Sequence, residues 1–242
     1  MKITNNFKQK ILCLTGWGQK FDSLEFIFND SNFDPFFVSS INYTKFGAVD
    51  DFFEAIKLEN PQIVIGWSLG GQLAIRAIEK KILNPELLFL IAPPFQMMKN
   101  DKIQAGMSQK TFLEFYSNFV KSPDKTLKQF AILSAMNDKN AKEIAKTLDI
   151  SDDNFEQLKF WLEELNRFSC FDVDFSNMPK TIFFQGAGDM IVHESQAQYF
   201  KQRIKDFTLE IFNNCGHAPH LNDAPRVRKI ILERLRSSIP AH

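Results

Sequence analysis

Residues 66–70 read Gly66-Trp67-Ser68-Leu69-Gly70, a serine with a glycine two places to either side. The run before it, Ile63–Gly66, is short and apolar, as in a strand buried on both faces. The run after it, Gln72–Lys81, carries Leu73, Ile75, Ala77 and Ile78 at helical spacing. A serine on so sharp a strand-to-helix turn has its hydroxyl pushed above the sheet edge, with a helix N-terminus behind it to favour developing negative charge. A serine hydroxyl becomes a nucleophile only when a base takes its proton. The chain has four histidines, and two of them follow the last strand candidate in Asn214-Cys215-Gly216-His217-Ala218-Pro219-His220. Either His217 or His220 fits as base, and His217 is preferred because Gly216 frees the backbone beside it. A base needs a carboxylate to orient it and to stabilise its charged form. Asp189 follows the strand candidate Thr181–Gln185 in Gly186-Ala187-Gly188-Asp189, at the strand end where sites of open parallel sheets lie. Asp172 and Asp174 precede that strand and belong to its other end. Two N–H donors would hold the oxyanion: Leu69, next after the nucleophile, and Trp17, in the Gly16-Trp17-Gly18 turn after the first strand.

The elements that must position these groups alternate. Strands are expected at Lys10–Leu14, Phe36–Ser39, Ile63–Gly66 and Leu87–Ala92, with a helix at Val49–Leu58 between the second and third. Short connections between them imply a mostly parallel sheet with helices on both faces. From Gln96 to Phe171 the rhythm changes. Gln109–Lys121, Leu127–Asn137, Ala141–Leu148 and Asn154–Arg167 read as amphipathic helices, with no strand among them. The alternation then resumes with Thr181–Gln185, a helix over Glu194–Ile204, the strand Thr208–Phe212 and the helix Pro225–Ser237. The expected organisation is an α/β core, residues 1–95 and 173–242, interrupted by a helical cap over 96–172. Phe112, Phe115, Phe119, Phe130 and Trp161 are candidates to line a pocket beneath that cap.

Composition narrows the partners. The 29 basic residues equal the 29 acidic ones, which disfavours a nucleic-acid binder. The three cysteines lie far apart, giving neither a zinc spacing nor a disulfide framework, so reduced thiols are expected. Met1–Lys10 is polar, and the apolar run from Ile11 is broken by Gly16 and Gly18, too short for a signal peptide or membrane span. A cytoplasmic monomer is expected. No metal cluster or dinucleotide fingerprint is visible, so neither metal nor cofactor is expected.

The motifs Gly16-Trp17-Gly18, Gly66-Trp67-Ser68-Leu69-Gly70-Gly71 and Gly216-His217-Ala218-Pro219 resemble those of the α/β-hydrolase carboxylesterases that cleave pimeloyl-acyl-carrier-protein methyl ester in biotin synthesis. The order serine, acid, histidine along the chain is that of α/β-hydrolases. The resemblance covers roughly residues 10–95 and 180–240, the stretches that hold the motifs. It implies Ser68 as nucleophile, Asp189 as acid, His217 as base and Trp17 in the oxyanion loop. Two departures stand out: the loop begins Thr15-Gly16 instead of His-Gly, and Ile41–Gly47 replaces the family's Asp-x-Pro-Gly-x-Gly stretch.

The resemblance also implies a carrier-bound ester as substrate and acyl carrier protein as partner. Charge along the cap is segregated in a way that suits an acidic partner. Gln96–Lys146 holds nine lysines against five acids, whereas Thr147–Asp172 holds Lys159 and Arg167 against seven acids. Lys121, Lys125 and Lys128 fall at helix-like spacing and are expected to form one basic face. The alternatives are a general short-chain carboxylesterase or related serine hydrolase, and a non-catalytic relative that binds a ligand. The complete set of three catalytic residue types weighs against the last. A halide-displacing enzyme would need an acid at position 68.

Overall fold

Six short runs of β-branched, leucine and phenylalanine residues form one sheet, because apolar residues on both sides of a strand need cover on both faces. The computed structural model describes residues 8–148 and 154–238; positions 1–7, 149–153 and 239–242 lie outside the described residues, among them the polar start of the chain, His242 and the cap acids Asp149, Asp152 and Asp153. The strands are β1 (Lys10–Leu14), β2 (Phe37–Ser40), β3 (Ile63–Trp67), β4 (Leu87–Ile91), β5 (Lys180–Gly186) and β6 (Phe207–Phe212). They pair in the order β2-β1-β3-β4-β5-β6, and every pair is parallel. The chain builds outward from β1 to one edge, then restarts at β3 and builds to the other. The C-terminal ends of β1 and β3 therefore flank the point where strand order reverses, where such sheets carry their sites.

Alternation along the strands divides the interior. Leu12, Leu14, Val64, Leu88 and Leu90 belong to one apolar cluster, and Ile11, Cys13, Ile65, Phe89 and Ile91 to another. The two clusters are the two faces of the sheet. Helices α1 (Asp22–Glu25), α2 (Val49–Lys57) and α3 (Leu69–Glu79) come before β4; α4 (Gln109–Lys121), α5 (Pro123–Ser134), α6 (Ala141–Leu148) and α7 (Phe155–Arg167) lie between β4 and β5; α8 (Ala197–Lys201), α9 (Pro219–Asn222) and α10 (Ala224–Ser238) follow β5. Cys13, Cys170 and Cys215 are free and buried. Among the described residues no helix is long and apolar enough to cross a membrane.

Several boundaries differ from those read in the sequence. Helix α3 begins at Leu69, three residues early, because the turn at Ser68 leaves no intervening loop. Helix α5 was expected over Leu127–Asn137 but runs from Pro123 to Ser134. Proline at a first helical position needs no N–H partner and starts the helix, while Asn137, at φ 72°, stands outside helical geometry. The expected helix over Glu194–Ile204 is a 3-10 turn, Glu194–Gln196, running into α8.

Helix α7 is pinned to the core by Trp161, which is fully buried. Its ring meets Tyr43 and Phe52 edge-on at 5.5 and 5.6 Å. Its indole N–H is shared between the carbonyls of Tyr43 and Phe46 at 3.0 and 3.1 Å. Trp161 is therefore a core anchor and not a pocket wall. Replacing Trp161 with Phe should cost about 2–3 kcal/mol, since it removes the indole donor from the Tyr43 and Phe46 carbonyls and opens a gap; a urea unfolding midpoint that does not move would contradict this role.

Candidate active site

Ser68 occupies a strained backbone position, φ 52° and ψ −116°, between the last residue of β3 and the first of α3. Such a position costs on the order of 1–3 kcal/mol and persists only where the surroundings enforce it. Here the Ser68 N–H donates to Ile91 O at 2.8 Å, and the Ser68 carbonyl accepts from Gly71 and Gln72 at 3.0 and 3.1 Å. Two glycines make the turn possible by having no side chain. A Cβ on Gly66 would stand 2.7 Å from the Gly71 Cα, and one on Gly70 would run into the Leu14 carbonyl.

Asp189 and His217 meet on the loops after β5 and β6. His217 Nδ1 lies 2.7 Å from Asp189 Oδ2, and both side chains are buried. The other carboxylate oxygen, Oδ1, accepts from the backbone N–H groups of Ile191 and Val192 at 2.8 and 2.9 Å. Gln185 Nε2 adds a longer contact to Oδ2 at 3.2 Å. A carboxylate held by several donors keeps one orientation and accepts a hydrogen bond from Nδ1–H. That leaves the lone pair on His217 Nε2, which is buried and makes no hydrogen bond.

The tryptophan inside the serine motif ties the two halves together: Trp67 Nε1 donates to the His217 carbonyl at 3.0 Å. Its ring also meets His220 edge-on at 4.6 Å. His220 is fully buried. Burial foremost, with the neighbouring His217 second, pushes its pKa down to about 3. It sits behind Trp67 as a neutral packing group, and the structure gives Asp189 to His217 instead. Gly216 also takes a different part from the one expected: its φ is not positive, and what it supplies is room, since a Cβ there would stand 2.7 Å from Ser134 O.

The Leu69 N–H heads α3, where no carbonyl lies one turn back to receive it. The Trp17 N–H makes no backbone hydrogen bond among the described residues. The turn that carries it is shaped by Tyr43, whose hydroxyl donates to Gly16 O at 2.9 Å and accepts from Gly18 N at 2.7 Å. Tyr43 comes from the stretch that departs from the family pattern, and nothing in its spacing marked it. The Trp17 indole donates to Leu158 O of α7 at 2.8 Å, and its ring packs edge-on against Phe115, Phe119 and Phe130 at 5.2–5.6 Å.

Above Ser68 lies a narrow cavity of about 40 Å³ with wholly apolar walls, including Trp17, Met97, Phe112, Phe115, Phe130 and Ile191. Phe119 stands behind Trp17 instead of in the wall. Two larger hollows open to solvent away from Ser68. One, about 580 Å³, runs between α5 and α6 past Lys128, Ile132, Lys142 and Lys146. The other, about 730 Å³, follows the outer side of α4 past Lys110 and Lys121. Lys121, Lys125 and Lys128 are all exposed, but they do not share one helix. The chain breaks at Ser122, so Lys121 closes α4 while Lys125 and Lys128 ride on α5. Their even spacing in sequence is interrupted by the extended backbone of Ser122, φ −152° and ψ 73°.

A sequence model of the alpha/beta hydrolase family matches residues 11–229. The pimeloyl-[acyl-carrier protein] methyl ester esterase of Nitrosospira multiformis is 27% identical over 185 residues, covering 74% of this chain and 70% of that protein. The biotin biosynthesis bifunctional protein BioHC of Teredinibacter turnerae is 27% identical over 190 residues, and the match covers 73% of this chain but only 33% of the bifunctional protein's length. Among solved structures, the esterase EaEST of Exiguobacterium antarcticum superposes with a TM-score of 0.77 at 16% identity, covering 94% of this chain and 92% of that one. A bromoperoxidase of Bacillus anthracis gives 0.80 at 14% identity with the same coverage. These two speak for the fold alone. The family match runs from β1 into α10, through every strand and every loop described above, and the chain belongs to the alpha/beta hydrolase family of enzymes.

Proposed function

We propose that this chain is a serine carboxylesterase that hydrolyses an acyl methyl ester through an acyl-enzyme, with pimeloyl-acyl-carrier-protein methyl ester as its substrate. The observation that carries the reaction type is the buried 2.7 Å contact between Asp189 and His217, which leaves the Nε2 lone pair without a partner, in a chain that also holds Ser68 on a strained strand-to-helix turn. The substrate is supported by the relatives that bear this name and by the apolar wall above Ser68.

In this reading Ser68 Oγ attacks the ester carbonyl carbon as His217 Nε2 takes its proton. The carbonyl π electrons move to oxygen, and the Leu69 and Trp17 N–H groups hold the oxyanion. Asp189 stabilises the imidazolium. As the C–O bond to the alcohol breaks, His217 returns the proton and methanol leaves. Water, deprotonated by His217, then attacks the acyl-enzyme and releases the carboxylic acid and Ser68. Residues 96–172 act as a cap: Phe112 and Phe115 exclude water and contact the alkyl chain. Lys125 and Lys128, with Lys121 across the helix break, steer the acidic carrier. A second reading, a general short-chain esterase, gains support from the small volume of the cavity.

Ser68→Ala should abolish turnover and labelling by a fluorophosphonate, with the fold intact. His217→Ala should lose about four orders of magnitude in kcat, as members of such triads do. Asp189→Asn should lose a similar factor or less by misplacing the imidazole proton. A worse loss from His220→Ala than from His217→Ala, measured with p-nitrophenyl acetate, would overturn the assignment of the base.

Charge reversal of Lys121, Lys125 and Lys128 together distinguishes the two substrate readings. Hydrolysis of the carrier-bound ester should fall mainly in kcat/KM, with the loss shrinking as salt rises, while p-nitrophenyl acetate hydrolysis stays level. Equal effects on both substrates would favour the general esterase.

A further inference from the structure

The corner between α5 and α6 reaches down onto both loops that carry the acid and the base. Ser134 O accepts from the His217 N–H at 2.9 Å. Asn137 Nδ2 donates to Gly188 O at 2.8 Å, beside Asp189. Asp138 Oδ1 accepts from the Gly216 N–H at 2.6 Å, beside His217. Lys139 N donates to Asn222 Oδ1 at 3.0 Å, one helix further on. The fit is close: a Cβ on Gly188 would stand 2.8 Å from the Asn137 Cβ, and Gly216 has no room beside Ser134 O. Asn137 holds a left-handed backbone, φ 72°, which lets the chain turn at this contact.

We propose that Asn137 and Asp138 are positioning residues for the hydrolysis, forming a latch that holds the Asp189 and His217 loops in register and setting a carboxylate beside the imidazolium that forms on His217. This rests on the reading of Ser68, Asp189 and His217 as the catalytic residues. Asp138 is an unusual residue for a purely structural bond. It is buried, and its Oδ2 receives no N–H or O–H donor. A neutral acceptor would serve the Gly216 N–H without the cost of burying a charge. What the charge adds is attraction for a protonated His217.

The groups that face Asp138 are Cys215 and His217 from the base loop and Asp189 from the acid loop. Burial, the largest influence, pushes its pKa up to about 6; the Gly216 N–H, the Cys215 thiol and His217 pull the other way, and Asp189 pushes it further up. The folded chain thus keeps this proton to higher pH than the unfolded chain does. Asp138 favours the fold below the ordinary carboxylate range, and that contribution is lost as pH rises toward about 6. Activity should follow the opposite sign, because the ionised form is the one that supports the imidazolium.

The test is Asp138→Asn, read by the rate of fluorophosphonate labelling of Ser68 and by kcat and KM on p-nitrophenyl acetate across pH. The wild type should show an inflection near pH 6. Asp138→Asn should lose it, with kcat at pH 8 down about tenfold, the scale of a displaced catalytic group, and KM unchanged. The variant should resist urea at pH 8 at least as well as the wild type, which a structural role alone would not give. Asn137→Gly, which keeps the left-handed backbone and deletes the amide, should slow labelling without changing the pH profile. An Asp138→Asn enzyme with wild-type kcat and pH profile would overturn the latch. Labelling that persists in Ser68→Ala would instead overturn the catalytic assignment beneath it.

Discussion

The close approach of β3, α3 and the end of β1 is the constraint on which the rest of the site depends. The Leu14 carbonyl sits where any side chain at Gly70 would be, and Gly71 lies against Gly66. With helix and strand this close, one residue must reverse the chain between Trp67 and Leu69, and only a positive φ does so in that space. Ser68 takes that strain and gains an N-terminal helix position and a place above the sheet edge. Trp67, just before it, is turned to the opposite side of the sheet, where its indole holds the His217 carbonyl and its ring covers His220. The same turn that carries the serine therefore anchors the loop that carries His217.

The loops are short of partners of their own, and other elements supply them. A polar backbone group buried without a partner costs about as much as a lost hydrogen bond, so each must be accounted for. The Gly16–Gly18 turn is satisfied by the Tyr43 hydroxyl, the Gly188 carbonyl by Asn137, and the Gly216 and His217 N–H groups by Asp138 and Ser134. Three of these four donors or acceptors come from the segment between β4 and β5. That segment is thus part of the frame that holds these loops. It is fastened at its far end too: Arg76 of α3 pairs with Glu164 of α7 at 3.0 Å, with its guanidinium 4.8 Å from the Phe168 ring, all in a mostly buried setting.

Legibility in the sequence followed the range of the interaction. Strand β1 and helices α4 and α6 run over the residues expected, because a strand covered on both faces is a continuous apolar run and a helix covered on one face has a period, and a local window contains either signal. The parallel sheet was legible from the alternation of such elements, and the resemblance to the pimeloyl esterases was carried by motifs of three to six residues. The family match and the named relatives agree with it. Where a boundary moved, a local rule had been overridden or overlooked. Pro123 began α5 ahead of its apolar period, and the Ser122 break divided a lysine run that looked continuous.

The sequence alone determined the alternating α/β order, the placement of Ser68 on a turn between strand and helix, and the loops on which Asp189 and His217 would lie. Each of these depends on neighbours within a few residues. It preferred His217 to His220 as the partner of Asp189 but could show no contact to either. Only the tertiary structure decided between them, by putting His217 against Asp189 and His220 behind Trp67. It alone revealed Tyr43, Asn137 and Asp138 as well. Their contacts join residues 27, 51 and 78 positions apart, and the Trp67 bond to His217 spans 150. Such pairs leave no period and no motif, because the backbone groups they satisfy carry no residue identity. Which side chain reaches them is settled only when the sheet has brought the loops together.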